Sequence, residues 1–347
     1  MYRIIEYEKI DNNEIEGSSL LIDVRSPSEY KLETIPGSIN LPLLDDEERD
    51  RVGKVYVQES VEKAKKLGVE IVSKKLPQLY NKAISLNKEY DNLIFFCYRG
   101  GLRSTTLVSL FYPLGIKAFK LNGGYKKYRK YIVKTLPAII TEITFVVIHG
   151  NTGTGKTKIL KILKQKGMDI LDLEGCANHR GSFFGSVGLG KQNSQKMFES
   201  LIYESLKNRK SNIVFVENES QRIGRNIIPK YIFQKMKEGI HIKVEADIDV
   251  RVNNIIKDYV HANDEELIEA LNYLKSALGD RNIARYTDMI RRSEYEDVIK
   301  ELMIKYYDLL YNKECSNLSA TFNSNDPEEA ATEIIKWAKD NLNIKGW

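Results

Sequence analysis

Short runs of apolar residues, many of them β-branched or aromatic, recur along this chain, and each empties into a polar turn. Leu20–Val24, Leu93–Phe96, Lys117–Leu121, Phe145–Ile148, Met168–Leu173, Ile213–Val216 and Ile240–Val244 read as strands, most of them buried. Between them lie stretches whose apolar positions return every three or four residues. These are Val55–Leu86, Thr105–Phe111, a helix carrying Met197, Leu201, Ile202 and Leu206, Asp264–Leu278 with Leu267, Leu271 and Leu274, and a later run with Val298, Leu302 and Leu309. Methionine and tyrosine on these faces read as core. Asp326-Pro327-Glu328-Glu329 opens the last helix with an N-cap, a proline at the first position and an acid at the third. Strands alternating with helices predict an α/β chain with parallel sheets and a helical C-terminal part.

The strand Phe145–Ile148 runs straight into Gly150-Asn151-Thr152-Gly153-Thr154-Gly155-Lys156-Thr157, a P-loop with a strand before it and a helix from Lys158 after it. Glycines at 150, 153 and 155 let the backbone turn its N–H groups inward around a phosphate. Lys156 adds a point charge, Thr157 offers a hydroxyl to Mg²⁺, and the helix aims its positive end at the same anion. The motif reports a phosphate-bearing ligand without saying which.

Leu93–Phe96 delivers Cys97 into a second turn, Tyr98-Arg99-Gly100-Gly101-Leu102-Arg103-Ser104. A cysteine at a strand end is often just a small buried hydrophobe. Here a helix N-terminus, Arg99 and Arg103 favour the thiolate, and the expectation is a reactive thiol of lowered pKa. The Gly100-Gly101 turn would hold an anionic group carried on the sulfur.

Further candidates stand at strand ends, where open parallel sheets place ligands. Asn178, His179 and Arg180 follow the Met168–Leu173 strand, and Glu217 closes Ile213–Val216 as a carboxylate for Mg²⁺ or a water, with Glu219 as substitute. Arg222 adds positive charge beyond it. Between Lys117 and Lys134 there are seven Lys or Arg and no Asp or Glu, with tyrosines three apart. That segment reads equally as a helix with tyrosines packed and lysines solvated, or as a basic edge for nucleic-acid phosphates.

At 347 residues, 42% hydrophobic and 29% charged, the chain suits two ordinary globular domains, here 1–134 and 135–347, divided near Thr135 by Pro137 and the turn before the P-loop strand. No apolar run approaches the ~20 residues of a membrane helix, and the acidic start is unlike a secretory signal, so a cytoplasmic protein is expected. Cys97, Cys176 and Cys315 form no C-x-x-C pair, and His149, His179, His241 and His261 lack metal-ligand spacing. A net charge of +5 is compatible with an anionic partner.

Two signatures in this order, DVRSPSEY, IPGSIN and CYRGGLRS, then GNTGTGKT, ANHRGSFFG and ENESQRIG, resemble the bacterial tRNA 2-selenouridine synthases over essentially the whole chain. The resemblance implies a rhodanese-like three-layer domain followed by a P-loop NTPase-like parallel-sheet domain. It also implies the chemistry: wobble 2-thiouridine of a tRNA is geranylated on sulfur from geranyl diphosphate, and the product becomes 2-selenouridine with selenophosphate. An enzyme supplying selenophosphate is the implied protein partner. Cys97 matches the rhodanese cysteine, implied to act in the selenium step, and Gly150–Thr157 matches the P-loop. Thr34 departs from the usual His before Ile-Pro-Gly, and Asn218 from an expected Asp, whose metal-holding role would pass to Glu217 or Glu219. Two rival readings stand beside this one. Cys97 to Arg103 also spells the C-x5-R loop of a phosphatase, and the pair of motifs would suit an ATP-driven sulfur relay that leaves RNA unaltered.

Overall fold

Every residue of the strand Asn92–Phe96 is buried, which requires cover on both faces of the sheet that holds it. In a computed structural model, which describes residues 3–181, 185, 187–259, 264–311 and 317–343, that strand is central to the first of two compact units, Met1–Thr135 and Leu136–Trp347. Phe183, Phe184, His261 and Cys315 lie outside the described residues.

The first unit pairs β1 (Arg3–Ile5), β2 (Ser19–Asp23), β3 (Ile39–Asn40), β4 (Asn92–Phe96) and β5 (Ala118–Leu121) in the order β1-β5-β4-β2-β3, every pairing parallel. Its helices are α1 (Tyr7–Asp11), α2 (Pro27–Leu32), α3 (Asp46–Gln58), α4 (Val61–Glu89), α5 (Leu102–Phe111) and α6 (Gly124–Thr141). Leu93 and Phe95 pack with Leu79 and Ala83 of α4 and with Leu107 and Phe111 of α5. Ile94 and Phe96, which alternate with them, are buried as well.

One expectation changes here. The single helical run Val55–Leu86 is interrupted after Gln58, because Ser60 accepts the N–H of Lys63 (3.1 Å) and starts α4 as its cap. Pro137 itself lies inside a helix. α6 continues through it to Thr141, held by the buried side chains of Leu136 and Ile140, although proline forfeits one backbone bond.

The second unit pairs β6 (Thr144–His149), β7 (Ile170–Leu171), β8 (Ile213–Glu217), β11 (Ile240–Glu245) and β12 (Ala320–Asn323) in the order β12-β11-β6-β8-β7, again all parallel. A small antiparallel hairpin, β9 (Arg222–Ile223) and β10 (Asn226–Ile227), stands apart from the sheet. The helices are α7 (Lys156–Gln165), α8 (Leu173–Ala177), α9 (Gln195–Lys207), α10 (Lys230–Lys237), α11 (Ile248–Tyr259), α12 (Asp264–Asn272), α13 (Lys275–Leu278), α14 (Asp280–Arg291), α15 (Tyr295–Leu302), α16 (Asp308–Tyr311) and α17 (Pro327–Asn341), with a π-helical turn Met303–Tyr307 before α16. Ala330, Ala331 and Ala338 of α17 are buried in the same core as Ile159, Leu160 and Leu163 of α7.

The Met168–Leu173 run shortens to Ile170–Leu171, since Asp172 accepts the Gly175 N–H (2.7 Å) and caps α8. Leu309 is 69% exposed and Leu302 buried, so only part of the last apolar stripe is core. β12 interrupts the region read as wholly helical.

Candidate active site: two anion-holding turns

In the first unit β4 ends at Cys97, which is 4% exposed, and the chain turns through Tyr98–Gly101 into α5. This turn is fastened backbone to backbone. The Cys97 and Tyr98 carbonyls accept the N–H groups of Tyr125 (3.0 Å) and Lys126 (2.8 Å) in the first turn of α6. Only glycine permits this approach: a Cβ on Gly124, whose φ is +56°, would stand 2.0 Å from the Cys97 carbonyl oxygen. Cys97 Sγ lies 3.4 Å from Ser104 Oγ. Arg99 is exposed and makes no ion pair among the described residues, whereas Arg103 is engaged by Glu29 through two hydrogen bonds (2.5 and 3.3 Å). Burial alone would raise the Glu29 carboxyl, and Arg103 outweighs it, holding the group below its ordinary value. Thr34, the departure from histidine, is buried and donates to Asp23 (2.8 Å). The same carboxylate grips the buried Arg25, stacked on Tyr125 at 4.6 Å.

In the second unit β6 empties into Gly150–Thr157, and here side chains do the fastening. A loop that points its N–H groups inward must turn carbonyls outward, and four successive carbonyls are satisfied. Lys156 Nζ donates to Gly150 (2.8 Å) and Asn151 (3.4 Å), Arg251 Nε to Thr152 (3.0 Å), and Asn254 Nδ2 to Gly153 (2.9 Å). Arg251, 6% exposed, also makes a two-pronged pair with Asp308 (3.0 and 2.6 Å), which in turn accepts from Asn151 Nδ2 (3.1 Å). A Cβ on Gly153 would meet the Arg251 carbonyl oxygen at 2.7 Å. Thr154 Oγ1 closes the turn on the Asn151 carbonyl (2.9 Å). At the end of β6, His149 Nε2 is 2.7 Å from His241 Nδ1; burial, helped by His241, Lys156 and Lys243, holds His149 down to about 4.

Behind the loop stands a chain of carboxylates. Thr157 Oγ1 donates to Glu174 Oε2 (2.9 Å), and the Glu174 N–H donates to Glu217 Oε1 (2.9 Å). Glu217 is fully buried and its Oε2 has no partner. Burial first, then the charges of Asp172 and Glu174, push its carboxyl well up; burial raises Glu174 too. Glu219 is pushed up to about 8 by burial and by Glu174. Among the described residues no group of three or more His, Cys, Asp or Glu is arranged to cage an ion. Glu217, expected to serve a Mg²⁺, is sealed from the cavity, so a Mg²⁺ that keeps phosphate and water as its other ligands would instead meet Thr157, Glu174 and Glu219, which line it.

The loop faces a cavity of about 500 Å³ lined by Lys156, Lys158, Lys161, Arg180, Glu219 and Lys257 among others. Asn178 Nδ2 donates to the Leu189 (2.9 Å) and Lys191 (3.1 Å) carbonyls, and Arg180 to that of Val187 (2.7 Å), so both shape the following loop as well as line the cavity. His179 lines it too, and its Nδ1 accepts the Gly181 N–H (3.2 Å). Arg222 is exposed on β9, where its Nε donates to the Gly224 carbonyl of the same hairpin (2.9 Å).

Two family models match the chain, a rhodanese-like domain over residues 7–131 and the tRNA 2-selenouridine synthase AAA domain over residues 143–282. The tRNA 2-selenouridine synthase of Nitrosomonas eutropha is 33% identical over 86% of this chain and 74% of its own length. That of Pseudomonas syringae pv. syringae is 33% identical over 84% and 87%. The chain belongs to the tRNA 2-selenouridine synthase family. It is thus an enzyme, and the resemblance read from its motifs is borne out together with the α/β fold of two parallel sheets.

Four side chains around the P-loop of this synthase family member escape the motifs. Glu174 had a signal, since Asp172-Leu173-Glu174 closes a strand as Glu217 does. Arg251, Asn254 and Asp308 had none, because they come from α11 and α16, more than ninety residues downstream, and only the fold brings them to the loop.

Proposed function

We propose that this enzyme converts wobble 2-thiouridine of a cytoplasmic tRNA to 2-selenouridine through an S-geranyl intermediate. In the first step the thiocarbonyl sulfur attacks C1 of geranyl diphosphate, the C1–O bond breaks toward diphosphate, and the N3 proton goes to solvent. In the second, selenium from selenophosphate adds to C2, geranyl thiol departs, and water takes the phosphoryl group as phosphate. Sulfur doubly bonded to C2 is a poor leaving group, whereas the alkylated sulfur leaves readily as a thiol.

The observation that carries this reading is Lys156. Its ammonium rests on the Gly150 and Asn151 carbonyls at a cavity rich in cations, a charge in place for the diphosphate that must depart. The inward N–H groups hold the diphosphate oxygens, Thr157 with Glu219 of the cavity wall would hold Mg²⁺, and that ion would neutralise developing charge. Cys97 serves the selenium step, with the exposed Arg99 beside it. Lys156→Ala protein incubated with radiolabelled geranyl diphosphate and thiolated tRNA should transfer label at least about a hundredfold more slowly than wild type. Normal transfer would remove the P-loop from the geranyl step.

A further inference from the structure

The seven cations between Lys117 and Lys134 are not equivalent once folded. Arg129 is buried, Lys127 pairs with Glu6 (2.7 Å), Lys120 reaches Thr105 (3.4 Å), and Lys117 lies at the far, amino-terminal start of β5. Lys126, Lys130 and Lys134 remain exposed and, among the described residues, make no ion pair or side-chain hydrogen bond. They are four residues apart, hence one row along α6, about 6 Å from one to the next. Tyr125, Tyr128 and Ile132 are buried on the opposite side, and so fix which way the row points.

The row has a definite origin. The Lys126 N–H is bonded to the Tyr98 carbonyl, so the first lysine stands against the Cys97 turn, next to exposed Arg99. Acidic side chains near α6 act away from the row: Glu6 is held by Lys127 and Asn122, Asp11 by Tyr131, and Glu33 and Asp23 face Tyr125 on the buried side. Four unpaired cations thus form a track that begins at the sulfur-bearing turn.

We propose that Lys126, Lys130 and Lys134 bind the sugar-phosphate backbone of single-stranded RNA and lead it to the Cys97 turn at Arg99. This rests on the tRNA reading above and names the surface that reading lacks. A single strand fits better than a duplex, because chemistry at C2 of a base needs that base unstacked. A row of point charges with no side chain set for base edges predicts affinity without sequence preference.

The test titrates an anticodon stem-loop RNA against full-length wild type and Lys126→Gln/Lys130→Gln/Lys134→Gln protein from 50 mM salt upward. Loss of three phosphate contacts should weaken binding about tenfold or more at the lowest salt and reduce the slope of log affinity against log salt by about 2. Lys65→Gln/Lys66→Gln/Lys74→Gln, three exposed lysines of α4, removes the same net charge and should leave the slope unchanged. Equal affinity and slope in the α6 variant, or an equal loss in the α4 variant, would overturn the track. A wild-type chain that binds no RNA at all would instead overturn the tRNA reading and the track with it. Inorganic diphosphate binding should be the same in all three proteins.

Discussion

Both units set their chemistry at the carboxyl end of an inner parallel strand, β4 in one and β6 in the other, but they hold their turns by opposite means. The Cys97 turn rests backbone on backbone, and its tolerance is set by hydrogen atoms: Gly124 has no room for a methyl group. The P-loop rests on side chains brought from α11 and α16, and behind it carboxylates are held against their preference for charge. The first arrangement fixes where one sulfur atom sits. The second fixes a field, which would suit the departure of diphosphate proposed for it.

Breaking either support should therefore show different signatures. Gly124→Ala should cost the first unit about 3 kcal/mol or more, because neither the Cys97 carbonyl nor the Gly100 amide can move away cheaply. Hydrogen exchange would show faster opening in β4 and α5 with β6 and α7 unchanged; protection unchanged throughout would mean the backbone contact bears no stability. Arg251→Met leaves the Asp308 charge with only the Asn151 amide and should cost the second unit about 2 kcal/mol, felt as faster exchange at Gly153 and Gly155. Adding Asp308→Leu should recover part of that loss, and a cycle of the variants reads the pair directly.

A smaller effect is expected from acid and base. Glu219 titrates near pH 8 in the fold against 4.5 unfolded, so between these values the unfolded chain sheds the proton first and stability falls as pH rises. His149 works in the other direction: held to about 4 against 6.5, it resists the proton that the unfolded chain accepts, and stability falls as pH drops through that window. Glu219→Gln should raise the thermal midpoint by about 3 °C at pH 8 and hardly at all at pH 5. An equal shift at both values would show that the carboxyl is already ionised in the fold.

The same contrast explains what could be read from the residues alone. Cys97 and Gly150–Thr157 were legible because each turn carries its needs within a few residues: glycines, a strand before and a helix after. Arg99 and Arg103 could not be told apart, since only the fold shows that Glu29 takes one of them. β12 was missed because Ala320–Asn323 is a short edge strand with partly exposed residues, lacking the apolar run of β4 or β6. The residue pattern of α6 suits packing and recognition equally, and the fold gives Tyr125 and Tyr128 to packing and three lysines to solvent.

The division of labour between the two turns is tested most directly by nucleoside mass spectrometry of thiolated tRNA incubated with geranyl diphosphate, selenophosphate and either Cys97→Ser or Lys156→Ala protein. Cys97→Ser should accumulate S-geranyl-2-thiouridine with little 2-selenouridine, and Lys156→Ala should leave 2-thiouridine unchanged. Normal 2-selenouridine from the first variant, or S-geranyl nucleoside at the wild-type rate from the second, would contradict the account.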